Sequence, residues 1–141
     1  MSVTLDMTAI VESLKVEEGY RTRPYVCSAG YLTIGFGRNI SDSGLGISEE
    51  EAEYLLKNDV VRTIDEVRQR WPWFDDLNKA AREVLVELCF QLGAPRLSGF
   101  KKMLAALEAG DNDTAAAELL DSKFARQVPA RAARLSRRLI G

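Results

Sequence analysis

Apolar and polar positions recur with two different periods along this 141-residue chain, and the switches between them outline its elements. Over residues 6–18, Met7, Ile10, Val11 and Leu14 recur at helical spacing, with Asp6 or Thr8 as the N-cap. Gly19 follows Glu18 and can supply the positive φ that closes a helix. Pro24 and Gly30 interrupt 20–31. Tyr31-Leu32-Thr33-Ile34-Gly35-Phe36-Gly37 then alternates its side chains and is rich in strand formers, so this stretch predicts a β-hairpin. Gly35 and Gly37 inside it predict a bend, or a backbone that a ligand approaches closely.

Ser48-Glu49-Glu50-Glu51 is a capping-box pattern. It predicts a helix running to about Arg70, with Ala52, Leu55, Leu56, Val60, Ile64 and Val67 apolar. A helix of that length would connect a small β-containing lobe to a helical one. Trp71-Pro72-Trp73-Phe74 stops it, because proline cannot continue the hydrogen bonding, and the aromatic cluster predicts a core plug. Asn78 to Leu92 is apolar nearly all round and predicts a helix buried in a bundle, with Cys89 in the core. Glu87 interrupts that helix and needs a partner if buried. Gly93-Ala94-Pro95 ends it. Ser98 is the expected cap of a helix through Met103, Leu104 and Leu107 that closes at Gly110. A short alanine-rich helix follows from Asp113 to Leu120. Pro129 opens the last helix, with Ala132, Leu135 and Leu139 inward.

Composition narrows the class. Hydrophobic residues make up 46% and charged residues 28%, which suits one globular domain over residues 1–141 and not disorder. The formal net charge is −2, so nothing advertises a nucleic-acid partner. From Asp121 onward, six cations (Lys123, Arg126, Arg131, Arg134, Arg137, Arg138) face one acid. That is a solvated helix face, favoured for Arg137 and Arg138, or a surface that meets an anionic polymer. The absence of histidine removes imidazole chemistry, and Cys27 and Cys89 make neither a zinc site nor a disulfide framework. No metal or cofactor is expected. Met1 to Met7 lacks a cationic start and an apolar run, and no window is long enough to span a bilayer, so synthesis in a reducing cytoplasm without stable membrane insertion is expected.

The candidate chemistry lies in Glu18, Cys27 and Thr33. Helix end, turn and hairpin can fold back to bring an acid, a thiol and a hydroxyl together. Glycosidic cleavage needs a protonated acid at the leaving oxygen and a group on the other face that attacks carbon or positions water. A helix C-terminus and partial burial would both raise the Glu18 carboxyl pKa. Thr33 would orient water. Cys27 would accept a hydrogen bond from that water, or act as a thiolate if its pKa is depressed.

These residues carry a resemblance. Glu18, Cys27 and Thr33 match without a gap the motif Glu, eight residues, Asp or Cys, five residues, Thr. The flanks Glu17-Glu18-Gly19 and Gly30-Tyr31-Leu32-Thr33-Ile34-Gly35-Phe36-Gly37 match as well. So do Ser48 to Val60, Phe90-Gln91-Leu92-Gly93, Ser98-Gly99-Phe100 and Gln127 to Arg134. The sequence resembles the phage-type lysozymes, the endolysins of glycoside hydrolase family 24, over nearly its whole length.

The resemblance implies a mainly α (α+β), lysozyme-like fold. A small β lobe, about 20–47, would join through the long helix to a helical lobe formed by about 1–19 and 60–141, with the active-site cleft between lobes. It implies hydrolysis of the β-1,4 bond between N-acetylmuramic acid and N-acetylglucosamine in peptidoglycan. Glu18 would be the general acid, and Cys27 and Thr33 would complete the triad. Arg131 would pair with Glu18 and Arg134 with Glu17. Phe90 and Gln91 would line the cleft floor, and Gly37 would meet substrate. The expected setting is a monomer made in the host cytoplasm that reaches the wall once a holin opens the inner membrane. The chain departs from the family pattern at Arg38, where a histidine is common, and at Met103 and Glu118, where some members carry polar sugar contacts. An inactive peptidoglycan-binding module of the same fold, and a virion-tail or bacteriocin wall-degrading domain, are the alternative readings.

Overall fold

The computed structural model describes residues 4–141. The first three residues of the Met1–Met7 segment read above as lacking a leader lie outside them. Eight helices and a three-stranded antiparallel sheet are seen among the described residues, a lysozyme-like α+β fold. The chain divides into two compact units, the residues up to Glu53 and Tyr54–Gly141.

The first unit opens with helix α1, Met7–Glu18. Asp6 is its N-cap, accepting a hydrogen bond from the Ala9 N–H at 3.0 Å, so the first of the two cap candidates is the one used. Gly19 closes it at φ +70°, donating its N–H to the Lys15 carbonyl. The helix is as expected, but its burial is not. Ile10, Val11 and Leu14 are exposed, and α1 contributes no buried residue. Its contacts place α1 in the first unit.

Strands β1 (Arg21–Val26), β2 (Leu32–Gly35) and β3 (Arg38–Asn39) follow, with β2 in the centre. The pairing is Arg21 with Gly35, then Tyr25 with Thr33 and Val26 with Leu32. Three β1 residues, 22–24, thus stand opposite Ile34 alone. Pro24 sits in that bulge, where a missing N–H costs the ladder least. The stretch read as one strand to Gly37 is in fact two strands joined by a tight turn at Phe36-Gly37, because both flanking glycines adopt positive φ. Asn39 Oδ1 then accepts from the N–H and Oγ of Ser41, which starts the loop before α2.

Helix α2 runs from Glu49 to Arg70, and the boundary between the units falls within it. The capping box forms as read: Ser48 Oγ accepts from the Glu51 N–H at 3.1 Å, and Glu51 Oε1 accepts from the Ser48 N–H at 2.9 Å.

In the second unit, the chain leaves α2 through a 3-10 turn at Pro72–Asp76. Trp71 and Phe74 are buried and Trp73 is partly so, packed on the core, which bears out the aromatic plug. Helix α3 (Lys79–Leu92) is the centre of the bundle, with Val84, Leu85 and Leu88 fully enclosed and Cys89 beside them. Around it come α4 (Ala94–Leu97), α5 (Lys101–Glu108), α6 (Asn112–Leu120), α7 (Lys123–Gln127) and α8 (Pro129–Ile140). The apolar face of α8 packs on α3, α6 and α7, with Ala132, Leu135 and Leu139 buried as expected.

Two local expectations are corrected here. Ser98 does not cap α5, whose N-cap is Phe100 without a side-chain bond. Ser98 instead follows the last residue of α4, and its hydroxyl donates back to the Ala94 carbonyl and accepts from Arg70 Nε. Glu87 finds its partner in Arg138, which also reaches Glu83 at 3.4 Å. Arg138 is therefore a pinned cation rather than a freely solvated one.

Candidate active site

Glu18 is the last residue of α1 and is exposed. The partial burial expected for it is absent, because every α1 position is open to solvent. One backbone does approach it. A β-carbon placed on Gly37 would lie 2.5 Å from Glu18 Oε2 and 3.0 Å from its carboxyl carbon. The sheet register explains this approach. Arg21 pairs with Gly35, so continuing the antiparallel pairing outward sets Tyr20 against Phe36 and brings Gly37 to the end of α1. Only a residue without a side chain leaves room for the carboxylate there. At φ +76°, Gly37 also holds a backbone that L side chains rarely adopt. The close approach predicted at the hairpin glycines is real, but the approaching group is the protein's own acid.

Cys27 and Thr33 lie at the other end of the hairpin. The Cys27 N–H donates to the Tyr31 carbonyl, and the Gly30 N–H donates to the Cys27 carbonyl, both at 2.9 Å, closing the turn. The thiol is partly exposed. Its pKa is held below that of an ordinary cysteine, first by the Tyr31 amide and then by that of Ala29; desolvation opposes this, and Thr33 and Gly30 add lesser lowering effects. Thr33 is only 3% exposed. Its hydroxyl donates to the Tyr31 carbonyl at 2.8 Å. A threonine has one proton to give, and Thr33 favours the Cys27 thiolate by turning that proton from the Tyr31 carbonyl toward sulfur.

Arg38 and Glu51 form a pairing that sequence reasoning missed. Arg38 Nη1 and Nη2 reach Glu51 Oε1 and Oε2 at 3.0 and 2.7 Å, a two-pronged ion pair, and Nη1 also donates to the Gly46 carbonyl at 2.9 Å. The Arg38 guanidinium, with the Ser48 amide and hydroxyl, pulls the Glu51 carboxyl down to about 2. Arg38 directly follows Gly37 in sequence, so this clamp ties the turn beside Glu18 to the first turn of α2. Its signal was present in the departure from histidine at position 38. A longer, forked cation needs a carboxylate farther away than an imidazole would.

The remaining expected site residues divide between the units. Glu17 is exposed beside Glu18 in the first. Phe90, 46% exposed, and exposed Gln91 stand on the last turn of α3 in the second. Arg131 and Arg134 are on α8, the former partly buried and the latter exposed. Arg131 Nε is buried without a hydrogen-bond partner among the described residues. Among the described residues, no group of three or more Cys, Asp or Glu side chains converges as a metal site would require. No helix there is long and apolar enough to cross a membrane.

A mostly helical chain with a small three-stranded sheet is lysozyme-like in its architecture. Residues 15–138 match the phage lysozyme model, and the chain belongs to that family. It is 26% identical to the probable T4-type lysozyme 2 of Dictyostelium discoideum, over 92% of each protein. It is 34% identical to the endolysin of Bacillus phage B103, over 78% of this chain and 42% of that one. It is also 27% identical to the pre-baseplate central spike protein Gp5 of Enterobacteria phage T4, over 91% of this chain. The chain spans only 27% of the length of Gp5.

Proposed function

We propose that this protein is a muramidase that hydrolyses the β-1,4 bond between N-acetylmuramic acid and N-acetylglucosamine in peptidoglycan. Its phage lysozyme family membership supports the class of reaction. The observation that carries the assignment to residues is the approach of Gly37 to the Glu18 carboxylate, which leaves an acid at the rim of a hairpin bearing a pKa-lowered thiol.

In this reading, protonated Glu18 gives its proton to the glycosidic oxygen as the C1–O bond breaks. Water attacks C1 from the opposite face as positive charge develops on the sugar. The Cys27 thiolate accepts a proton from that water and becomes a thiol. Solvent exchange then returns the proton to Glu18. Thr33 is too enclosed to hold water by itself, so its part is to orient Cys27 and stabilise the thiolate. Phe90 and Gln91 are the proposed sugar contacts of the second unit. In the first unit, Glu17 is the proposed support of the acid.

Mass spectrometry of muropeptides released from purified sacculi tests the bond assigned. The expected products end in a reducing N-acetylmuramic acid. An anhydro product would mean a transglycosylase, and a reducing N-acetylglucosamine would mean a glucosaminidase. Free endolysin is the favoured setting, acting on the wall after a holin opens the inner membrane. A tail-associated wall-degrading domain is the second, favoured by the similarity to Gp5.

A further inference from the structure

The register that brings Gly37 to Glu18 also puts two large aromatic rings in solvent beside it. Tyr20 is 63% exposed and Phe36 is 47% exposed. Their ring centroids lie 5.2 Å apart with planes tilted by 30°. Tyr20 is two residues beyond the acid, and Phe36 immediately precedes the glycine against which the acid rests. Lys15 Nζ sits 5.6 Å from the Phe36 centroid, on a flexible stem that also reaches Glu12.

Rings this open stabilise no core, and exposing them works against solubility. An exposed, adjoining aromatic pair beside the proposed catalytic carboxylate suits one kind of occupant. A pyranose with equatorial substituents shows a face of axial C–H bonds, which an aromatic π face attracts. Lys15 can swing aside and offer its three donors to the hydroxyls or acetamido oxygen at the edge of that sugar.

We propose that Tyr20 and Phe36 form a stacking platform for an N-acetylhexosamine ring of the glycan strand, a specificity subsite flanking Glu18. The proposal rests on the muramidase reading for its ligand, but its test is separable from that reading. Binding is measured by co-sedimentation with purified sacculi in a Glu18→Gln background, which leaves the strands uncut. Joint replacement Tyr20→Ala with Phe36→Ala is expected to weaken binding about tenfold, the size of a lost aromatic anchor. The exchange Tyr20→Phe with Phe36→Tyr keeps binding within about twofold, because both π faces remain. Tyr20→Leu with Phe36→Leu, which keeps apolar cover but no π face, behaves like the alanine pair.

With Glu18 intact, the leucine pair raises KM and leaves kcat nearly unchanged. Unchanged sacculus binding in the alanine pair, or parent-like binding in the leucine pair, overturns the platform. Should the alanine pair fail to fold, the leucine and exchanged pairs decide alone. If the unmodified protein releases no reducing ends while binding still depends on the two rings, the hydrolase reading fails and the platform stands.

Discussion

Gly37 leaves the Glu18 carboxylate the space that any β-carbon would take, since a β-carbon there would lie 2.5 Å from Glu18 Oε2. The relationship is set by sheet register and by a positive φ, two backbone properties, and it places the acid against a turn. Glu18 is the free end of an exposed side chain. A Gly37→Ala variant can therefore fold by pushing the carboxylate away, at a backbone cost of about 1 kcal/mol. Circular dichroism should stay native-like. Sugar release should fall by roughly 100-fold, as expected for an angstrom-scale displacement of a reacting group. Full activity in Gly37→Ala would show that the carboxylate position seen here is not the working one.

Cys27 should react as a thiol of lowered pKa. The pH dependence of its alkylation by iodoacetamide is expected to have its midpoint below the ~8.5 of an unperturbed cysteine. Thr33→Val removes one of the groups that favour the thiolate, so the midpoint should rise. Cys27→Ser should lower kcat by roughly 100-fold or more, the span of a lost general base. Cys27→Asp should retain activity, and alkylated protein should be inactive. An ordinary alkylation midpoint, unmoved by Thr33→Val, would contradict the role given to the turn.

The Arg38–Glu51 clamp predicts a pH signature in stability. The Glu51 pKa is lowered in the folded protein, to about 2. Its contribution is thus complete above the unfolded value of ~4.3 and is lost as pH falls from there through about 2. Because the Glu51 side chain is 43% exposed, the effect is modest and screened by salt. In urea titrations, Glu51→Gln should lower stability near pH 7 and flatten the loss between about pH 4.3 and 2. Parallel curves for both proteins across that window would remove the clamp from the account.

Arg138 bridges α8 to α3 through Glu87 and Glu83. All three side chains are roughly two-fifths exposed. Arg138→Ala should therefore cost only about 0.2–1 kcal/mol, and 1 M salt should erase most of that difference. A larger and salt-independent loss would mean that the arginine stem, rather than its charge, holds the helices.

Particular residues show what could be read from the chain and what could not. The capping box at Ser48 and Glu51, the glycine stop after Glu18 and the proline start of α8 were legible, because each rests on contacts within one turn of backbone. The buried faces of α3 and α8 were legible from period alone. The exposure of Ile10, Val11 and Leu14 was not, since periodicity says which residues share a face and not whether that face is covered. The split of the 31–37 stretch into two strands depends on how Gly35 and Gly37 use their freedom. The glycines were visible in the sequence, but their φ values were not. The triad proposed here was read from its spacing. What spacing could not supply was the proton direction at Thr33, the burial that removes it from solvent, and the two-residue excess in β1 that sets Tyr20 opposite Phe36.

The central claim is that Glu18 supplies the proton for glycosidic cleavage. The most direct test follows the turbidity of outer-membrane-permeabilised Gram-negative cells treated with equal amounts of the unmodified protein and Glu18→Gln. The substitution removes the proton donor while keeping side-chain size. The account predicts rapid clearing by the unmodified protein and a rate reduced by at least about 100-fold with Glu18→Gln. Equal clearing by the two proteins would contradict it.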